Sequence, residues 1–562
     1  MMVASMGKWM LYTTEGAAAI SLHKPHLPSA SSSASINPML AGLSFRTAMC
    51  SPCFMCEEKI CIQRRRGQRK RKKAAGAWQH SIVMEASKDL SGKTVAVVGL
   101  GASGRAAVKL ALARGADAVV ALDSNPSSLK LEQDLLFEGY DLSRVRTELG
   151  PHQRDSLLNA SQLVLSPGIP LTQPDVAAAI QHGVPALSEL GFAAAALPKC
   201  VKVAAVTGTN GKSTVTTFAG QLLKHAGVRT FVGGNLGTPL SEGVLQCLAF
   251  PPNDPPFHAT VVEVSSYQME LPGSFHPKVG VILNLTPDHL ERHKTMEAYG
   301  MMKCRLFAHM DSSDVCIIPH SDALLRKLAF KSGSQGTRAW LGGLPGVQLD
   351  KEVQRAIVVE PTSGREARLY LTGLQAVGTH NAHNAGTAAL IVLALDMGVE
   401  ADDIQAAIPY LQPPPHRMEV VCSDDRGVLW VNDSKATNVD ATYTGVKGVR
   451  GRKAVVLLGG LAKVWPGDGS LGFTRLVEVL QPHRAVVLFG AAGESIQKEL
   501  QSAGVSIPCQ RAANLADAVS LARTLAQPGD TVLLSPACAS FDEFRNFEHR
   551  GRVFADLAKV TS

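Results

Sequence analysis

An apolar run ends directly in a glycine-rich turn at residues 203–215, Val-Ala-Ala-Val-Thr-Gly-Thr-Asn-Gly-Lys-Ser-Thr-Val, and a helical pattern follows at once. A strand feeding glycines and then a helix is the unit from which α/β folds are built. The glycines let backbone N–H groups approach phosphate oxygens, and the helix presents its positive N-terminus to them. Within this cradle of Gly208, Thr209, Asn210 and Gly211, Lys212 reaches the β and γ phosphates, and the hydroxyl of Ser213 or Thr214 is placed for Mg2+. The expected ligand is ATP or GTP. The general phosphate-loop pattern begins with a Gly five residues before the Gly-Lys pair, where this chain has Val206, so the loop departs from the ordinary form. A glycine-rich turn that holds nothing is the alternative, and it leaves the Lys-Ser pair unexplained.

With 562 residues, and about 100 to 200 residues to a domain, the chain has room for three or four domains, each with its own core. The net charge of +8 points to nucleic acid only until it is located. Residues 1–85 carry 12 Lys and Arg against 4 Glu, and the rest of the chain carries 44 of each sign. The body therefore lacks the basic face a nucleic-acid binder needs. No stretch is apolar for the roughly 18 residues a membrane span requires.

Residues 1–88 read as a targeting leader outside the fold. The segment is rich in Ser between Ser29 and Ser35, poor in acid, and basic from Arg64 to Lys73. A nuclear-localisation run or nucleic-acid tail is the rival reading of the basic stretch. Cys50, Cys53, Cys56 and Cys61 lie in the same segment without flanking His, which argues against a metal site. The other seven cysteines sit in apolar surroundings and are expected to be reduced core residues.

Three α/β units follow, at 89–198, 199–412 and 413–562. In the first, Thr94-Val-Ala-Val-Val98 leads into Gly99-Leu-Gly-Ala-Ser-Gly104, and a second strand ends at Asp123. These residues match the dinucleotide fingerprint and keep a nicotinamide oxidoreductase in play. A dehydrogenase, however, has no use for Lys212 and Ser213. In the second unit the apolar strand Val261-Val-Glu-Val264 carries Glu263, which beside a phosphate cradle reads as a Mg2+ ligand. His289 follows the strand Val279–Leu285, at the carboxyl edge where α/β sheets bind ligands. Lys303 reads, from chemistry alone, as a solvated helix lysine. In the third unit Pro415-His-Arg-Met-Glu419 offers Arg417 to phosphate, and the strand ending at Asn432-Asp433 brings an acid, a Lys and hydroxyls to a cleft between domains.

The residues resemble the Mur ligases of peptidoglycan synthesis, from about Thr94 to the C-terminus. The resemblance rests on Gly-Thr-Asn-Gly-Lys-Ser-Thr (208–214), Gly-Gly-Asn-Leu-Gly (233–237), Glu-Val-Ser-Ser-Tyr-Gln (263–268) and Thr-Pro-Asp-His-Leu (286–290). It continues through Gly-Thr-His-Asn-Ala-His-Asn (378–384), His-Arg-Met-Glu (416–419), Asn-Asp-Ser-Lys-Ala-Thr-Asn (432–438) and Ser-Pro-Ala-Cys-Ala-Ser-Phe-Asp-Glu-Phe (535–544). The last two favour the D-glutamate-adding branch. The implied fold has a Rossmann-like UDP-binding domain, a central P-loop-type ATPase domain and a C-terminal Rossmann-like domain. The implied reaction uses ATP to form an acyl phosphate on UDP-N-acetylmuramoyl-L-alanine, which the amine of D-glutamate attacks.

By that resemblance Lys212 and Ser213 hold the nucleotide phosphates and Glu263 ligates the first of two Mg2+ ions. His289 and a carbamylated Lys303 serve the second. Asn235 meets the substrate or its reacting phosphate, Asn381 and Asn384 the ATP, Arg417 the phosphates and Asp433 the ribose. Lys435, Thr437, Lys463, Ser540, Phe541 and Phe547 hold D-glutamate, and Ala102, Ser103, Ser124 and Ser166 to Gly168 take the UDP end. Two positions depart from the family pattern: Asn125 stands where an Arg is common near the uracil, and the loop after Gly459-Gly460 is long. The resemblance with the leader implies a monomeric enzyme of the plastid stroma, imported by a transit peptide and acting on small molecules, with no nucleic-acid partner. A retired ligase acting as an interaction protein is the non-enzyme alternative, against which the complete candidate set stands.

Overall fold

The computed structural model describes residues 89–560 except 236, 351–353, 375, 377, 378, 450 and 463–470. Each apolar run expected to be a strand is one, and three sheets result. The first contains β1 (Thr94–Val98), β2 (Ala118–Asp123), β3 (Val145–Leu149), β4 (Gln162–Leu165) and β5 (Ala186–Ser188), all parallel, in the order β3-β2-β1-β4-β5. The order reverses between β1 and β4, so the loops after these strands form the crevice where α/β sheets bind ligands. Gly104 is required there: a Cβ would lie 1.8 Å from the Gly99 carbonyl oxygen.

The second sheet has β6 (Lys202–Thr207), β7 (Thr230–Gly234), β8 (Ala259–Glu263), β9 (Val279–Ile282), β10 (Val315–Pro319), β11 (Thr337–Leu341), β12 (Gly346–Asp350), β13 (Arg355–Val359) and β14 (Glu366–Tyr370). Its order is β14-β13-β12-β11-β10-β9-β6-β8-β7, with β13 and β14 added antiparallel. Every residue of β8 and β9 is buried, as strands covered on both faces must be. The central β6 lies between β8 and β9, which brings the ends of all three, and hence Gly208, Glu263 and Asn284, to one edge.

The third sheet contains β15 (Glu419–Ser423), β16 (Leu429–Asn432), β17 (Ala454–Gly459), β18 (Ala485–Phe489), β19 (Cys509–Arg511) and β20 (Thr531–Ala537). Its order is β15-β16-β20-β17-β18-β19, and only β15 is antiparallel. It has a core on each face, one around Val456, Phe473 and Leu533 and one around Trp430, Val487 and Phe554.

The first two sheets share a core. Helices Ala102–Ala113 and Glu189–Ala194 pack on helix Leu240–Leu248, so that Leu110, Leu190 and Phe192 join Phe231, Leu240 and Val244 in one apolar cluster. Of the seven cysteines expected in the core, Cys247, Cys304, Cys316 and Cys538 are buried, whereas Cys422 and Cys509 are half-buried and Cys200 is exposed. Cys200 stands in the connection between the first and second sheets, its Sγ 3.5 Å from Pro252 O. Among the described residues no helix is long and apolar enough to cross a membrane.

Candidate active site

The phosphate cradle forms because two glycines take backbone angles closed to other residues, Gly208 at φ +145 and Gly211 at φ +85. Asn284, one residue beyond the Leu283 that follows β9, buttresses it. Its Oδ1 accepts from the backbone of Thr209 (3.0 Å) and Asn210 (2.9 Å), and its Nδ2 donates to Asn210 O (3.0 Å). Lys212 Nζ is held over the loop by the carbonyls of Gly208 (3.0 Å) and Thr209 (2.8 Å). The helix Lys212–His225 points its N-terminus into the cleft, with Ser213 and Thr214 buried in its first turn.

Glu263, the last residue of β8, is 1 % exposed. Asn235 Nδ2 donates to its Oε1 (3.0 Å), while its Oε2 and the Ser213 Oγ are buried without a hydrogen-bond partner. Burial opposes ionisation of this carboxyl, but Lys212, Lys435, the Asn235 amide and the nearby Ser213 hydroxyl, which lies outside good hydrogen-bond geometry, outweigh it and hold the pKa below the usual range. Two orphaned, hard oxygens beside a phosphate loop fit Mg2+, and the reading of Glu263 from its strand context agrees with its burial.

Lys303 corrects the reading from chemistry alone. It is 1 % exposed, its Nζ donates to Gly208 O (3.0 Å) and it lies 4.4 Å from the Tyr299 ring centroid. Burial, then the neighbouring Lys212 charge, drive its pKa well below that of an ordinary lysine. Lys303 falls four residues after Tyr299, on the buried face shared with Gly300 and Cys304, and a lysine's ordinary preference for solvent hides that placement in the sequence. His289 takes a left-handed backbone (φ 55), and its Nδ1 is 2.8 Å from the Tyr267 hydroxyl.

The opposite wall comes from the third sheet. His416 (φ 64) and Met418 (φ 45) both lie in the left-handed region, a strained turn that projects Arg417 into the cleft. Asn210, Gly211, Thr214, Asn381, Asn384, Arg417 and Asp433 line one cavity of about 140 Å3. Sequence reasoning left out Asn284, His380, Met418, Ala441, Thr444 and Gly445, which line the same space. His380 and Met418 lie inside motifs already recognised, while Ala441, Thr444 and Gly445 belong to the helix Val439–Gly448 and carry no local signal. Asp433 has a structural part as well as its place in this cavity. Its Oδ1 accepts from Met418 N (3.2 Å) and its Oδ2 from Ser535 Oγ (2.8 Å), so the carboxyl braces the Arg417 turn. Burial raises its pKa to about 6, against the pull of Ser535 and Arg417.

Lys435 stands with its Nζ 3.6 Å from the Phe547 ring centroid, and burial followed by the Arg417 charge lowers its pKa to about 8. Ser540 is buried, Thr437 half-buried and Phe541 71 % exposed. Lys463 lies outside the described residues. Ala102 and Ser103 open a helix, Ser124 follows β2, and Ser166 to Gly168 follow β4, so this group gathers at the crevice of the first sheet. Ser166 Oγ donates to Gly99 O (2.8 Å) and Asp123 Oδ2 accepts from Leu100 N (2.7 Å), which ties the fingerprint loop down internally.

Residues 93–188 match the Mur ligase MurD-like N-terminal domain, 206–392 the Mur ligase middle domain and 416–538 the Mur ligase glutamate ligase domain. A UDP-N-acetylmuramoylalanine–D-glutamate ligase of Desulfosudis oleivorans is 37% identical over 477 residues, which cover 83% of this chain and 96% of that one. The chain belongs to the Mur ligase family. A ligase of the same name from Myxococcus xanthus is 38% identical over 476 residues, 84% of this chain and 99% of the other. The solved MurF ligase of Thermotoga maritima in complex with ADP shares the fold, with a TM-score of 0.51 at 18% identity over 84% of this chain and 96% of that one. This Mur ligase is therefore an ATP-dependent, Mg2+-using ligase of the D-glutamate-ligase type in peptidoglycan synthesis, and the oxidoreductase reading is not favoured.

Proposed function

We propose that this Mur ligase joins D-glutamate to UDP-N-acetylmuramoyl-L-alanine and releases ADP and phosphate. The observation that carries this reading is the pairing of the orphaned Ser213 and Glu263 oxygens beside Lys212 with Arg417 and Lys435 from the opposite wall. In the first step a substrate carboxylate oxygen attacks the γ-phosphorus and ADP leaves. The cradle N–H groups, Lys212 and Arg417 meet the phosphate charge. In the second step the amine attacks the acyl carbon, a tetrahedral adduct forms, and phosphate departs as the nitrogen loses its proton. Fixed positive groups favour both steps because charge moves onto oxygens they already face.

Ser213 and Glu263 would hold one Mg2+, and His289 with a carbamylated Lys303 a second; bound there, the ions would neutralise phosphate charge. A buried, uncharged amine is the form of lysine that adds CO2, which supports the carbamate on Lys303. Lys435, Thr437, Lys463, Ser540, Phe541 and Phe547 would receive D-glutamate. The same reading assigns residues 1–85 to import into plastids and the mature protein to the stroma as a monomer. A fluorescent protein carrying residues 1–85 should enter plastids, and accumulation in nuclei or mitochondria would refute that assignment.

The deciding experiment measures phosphate release by protein beginning near Lys88. Release of ADP and phosphate should require both UDP-N-acetylmuramoyl-L-alanine and D-glutamate. Turnover without them, AMP and pyrophosphate as products, or equal use of L-glutamate would overturn the reading.

A further inference from the structure

The segments that supply the proposed amino-acid pocket converge on one side chain that none of the motifs assigns. Arg550, on helix Phe547–Lys559, is 0 % exposed. Its Nε donates to Ser434 Oγ (3.0 Å) and its Nη2 to Ser434 O (2.8 Å). Its Nη1 donates to Cys538 O (3.1 Å) and Ala539 O (3.4 Å). Ser434 Oγ in turn donates to Phe547 O (2.9 Å), the first residue of the helix that carries Arg550. Gly460 passes against the same group at φ +123, where a Cβ would stand 3.1 Å from Nη1 and 2.3 Å from Ala539 O. One guanidinium thus touches the neighbours of Lys435 and Ser540, and through Gly460 the entrance to the Lys463 loop.

Among the described residues no carboxylate forms an ion pair with Arg550; Asp433, Asp542 and Glu543 act on it only from a distance. Burying a guanidinium on carbonyls and one hydroxyl is costly, and an apolar side chain of similar volume would fill the space at lower cost. Burial lowers its pKa to about 10, which leaves it charged at neutral pH. Ala537, just before the Cys538 carbonyl, is held at φ 59, a strained angle that persists only where the surroundings fix it.

We infer that Arg550 is the positioning residue of the acceptor amino-acid pocket, locking the Ser434–Lys435 and Cys538–Ser540 loops at one separation and setting a buried positive charge behind the pocket for a dicarboxylate. The charge acts through low-dielectric protein, where attraction is stronger than across water. This inference rests on the proposed function, since the pocket is the one assigned to D-glutamate.

Steady-state kinetics on the wild type, Arg550→Lys, Arg550→Met and Ser434→Ala test it, with circular dichroism and ADP binding as measures of folding. In Arg550→Lys, which keeps the charge but loses the fork, the KM for D-glutamate should rise about tenfold while those for ATP and the UDP substrate stay within about twofold. Arg550→Met should raise it further. If both variants fail to fold, Ser434→Ala decides: it removes one acceptor, and a rise of about threefold or more in the D-glutamate KM alone is expected. An unchanged D-glutamate KM in a folded variant, or an equal rise in all three KM values, overturns the inference. Wild-type transfer to D-glutamate is measured first. Should the wild type prefer another amino acid, the proposed specificity falls, and the same comparison with that acceptor still tests Arg550.

Discussion

The two joints between the three sheets are built from different materials. Between the first and second, helices interlock in a common apolar core, reinforced by Lys109 Nζ to Glu242 Oε1 (2.9 Å) and by Glu189 Oε1 accepting from Ser241 N (2.8 Å). Glu189 thereby caps helix Leu240–Leu248 from the neighbouring domain, because Pro239 at its start provides no side-chain cap. Across the active-site cleft the third sheet keeps cores of its own, and the contact is polar: Asn438 Nδ2 reaches Asp288 Oδ2 (3.2 Å) and Asn210 Oδ1 (3.5 Å). Apolar burial costs little to maintain and much to break, whereas hydrogen bonds facing water contribute little net stability. The first joint should therefore behave as a fixed part of the fold and the second as a surface that ligands complete.

The strongest test of the cleft is Lys303→Ala. If its amine completes a metal site, activity per folded molecule should fall by more than the roughly 10- to 100-fold seen for outer-shell changes around metals, beyond the stability that truncating a buried side chain costs. Partial recovery with added short carboxylic acids would point to a missing oxygen ligand. Activity lost only in proportion to the unfolded fraction would instead make Lys303 part of the fold. At the other joint, Leu240→Ala should do the reverse, costing about 2–5 kcal/mol in a denaturant titration while the folded fraction keeps its ATP affinity. Loss of ATP affinity without loss of stability would break the contrast.

The pH dependence separates the regions more finely. Lys435 has its pKa lowered to about 8, so the cation proposed to meet D-glutamate is lost as pH rises through that value. The kcat/KM for D-glutamate should decline above about pH 8, and Lys435→Arg should shift the decline upward. In the joint, burial raises the Glu189 pKa above the usual carboxylate range. Folding then takes up a proton, so this group's contribution is present below the ordinary pKa and is lost as pH rises through the raised one. Glu189→Gln mimics the protonated acid and should be the more stable protein at pH 8 but not at pH 4. Smallest of all, Asn438→Asp, which can still accept from Ala441 N at the start of helix Val439–Gly448 but cannot donate to Asp288 or Asn210, should change activity only a few-fold, since each such polar contact is worth about 0.5–1.5 kcal/mol. A larger effect, read in the KM for ATP, would mean the cleft is closed more firmly than its contacts imply.

Much of this was legible in the chain. Strands such as Ala454–Gly459 are continuous apolar runs, and the loops after β1 and β6 carry glycines whose backbone angles no other residue tolerates, so local chemistry announces both. Glu263 could be picked out because an acid in an apolar strand needs a reason to be there. Asn284, Thr444 and Gly445 could not, since nothing local tells a cavity wall from an ordinary helix or strand end. Asp433 was legible as a cavity residue, whereas its hydrogen bonds to Met418 and Ser535 were not, because they come from distant parts of the chain.

The sequence by itself determined the α/β class, the order of the strands along the chain, the phosphate cradle and the family, because these depend on periodicity, glycine geometry and motif order. Tertiary structure alone decided that Lys303 is buried and its pKa driven down, that Glu189 caps a helix in another domain, and that Arg550 sits beneath three loops. Desolvation and long-range hydrogen bonding depend on residues that are distant in the chain, and a side chain's own neighbours in sequence do not reveal them.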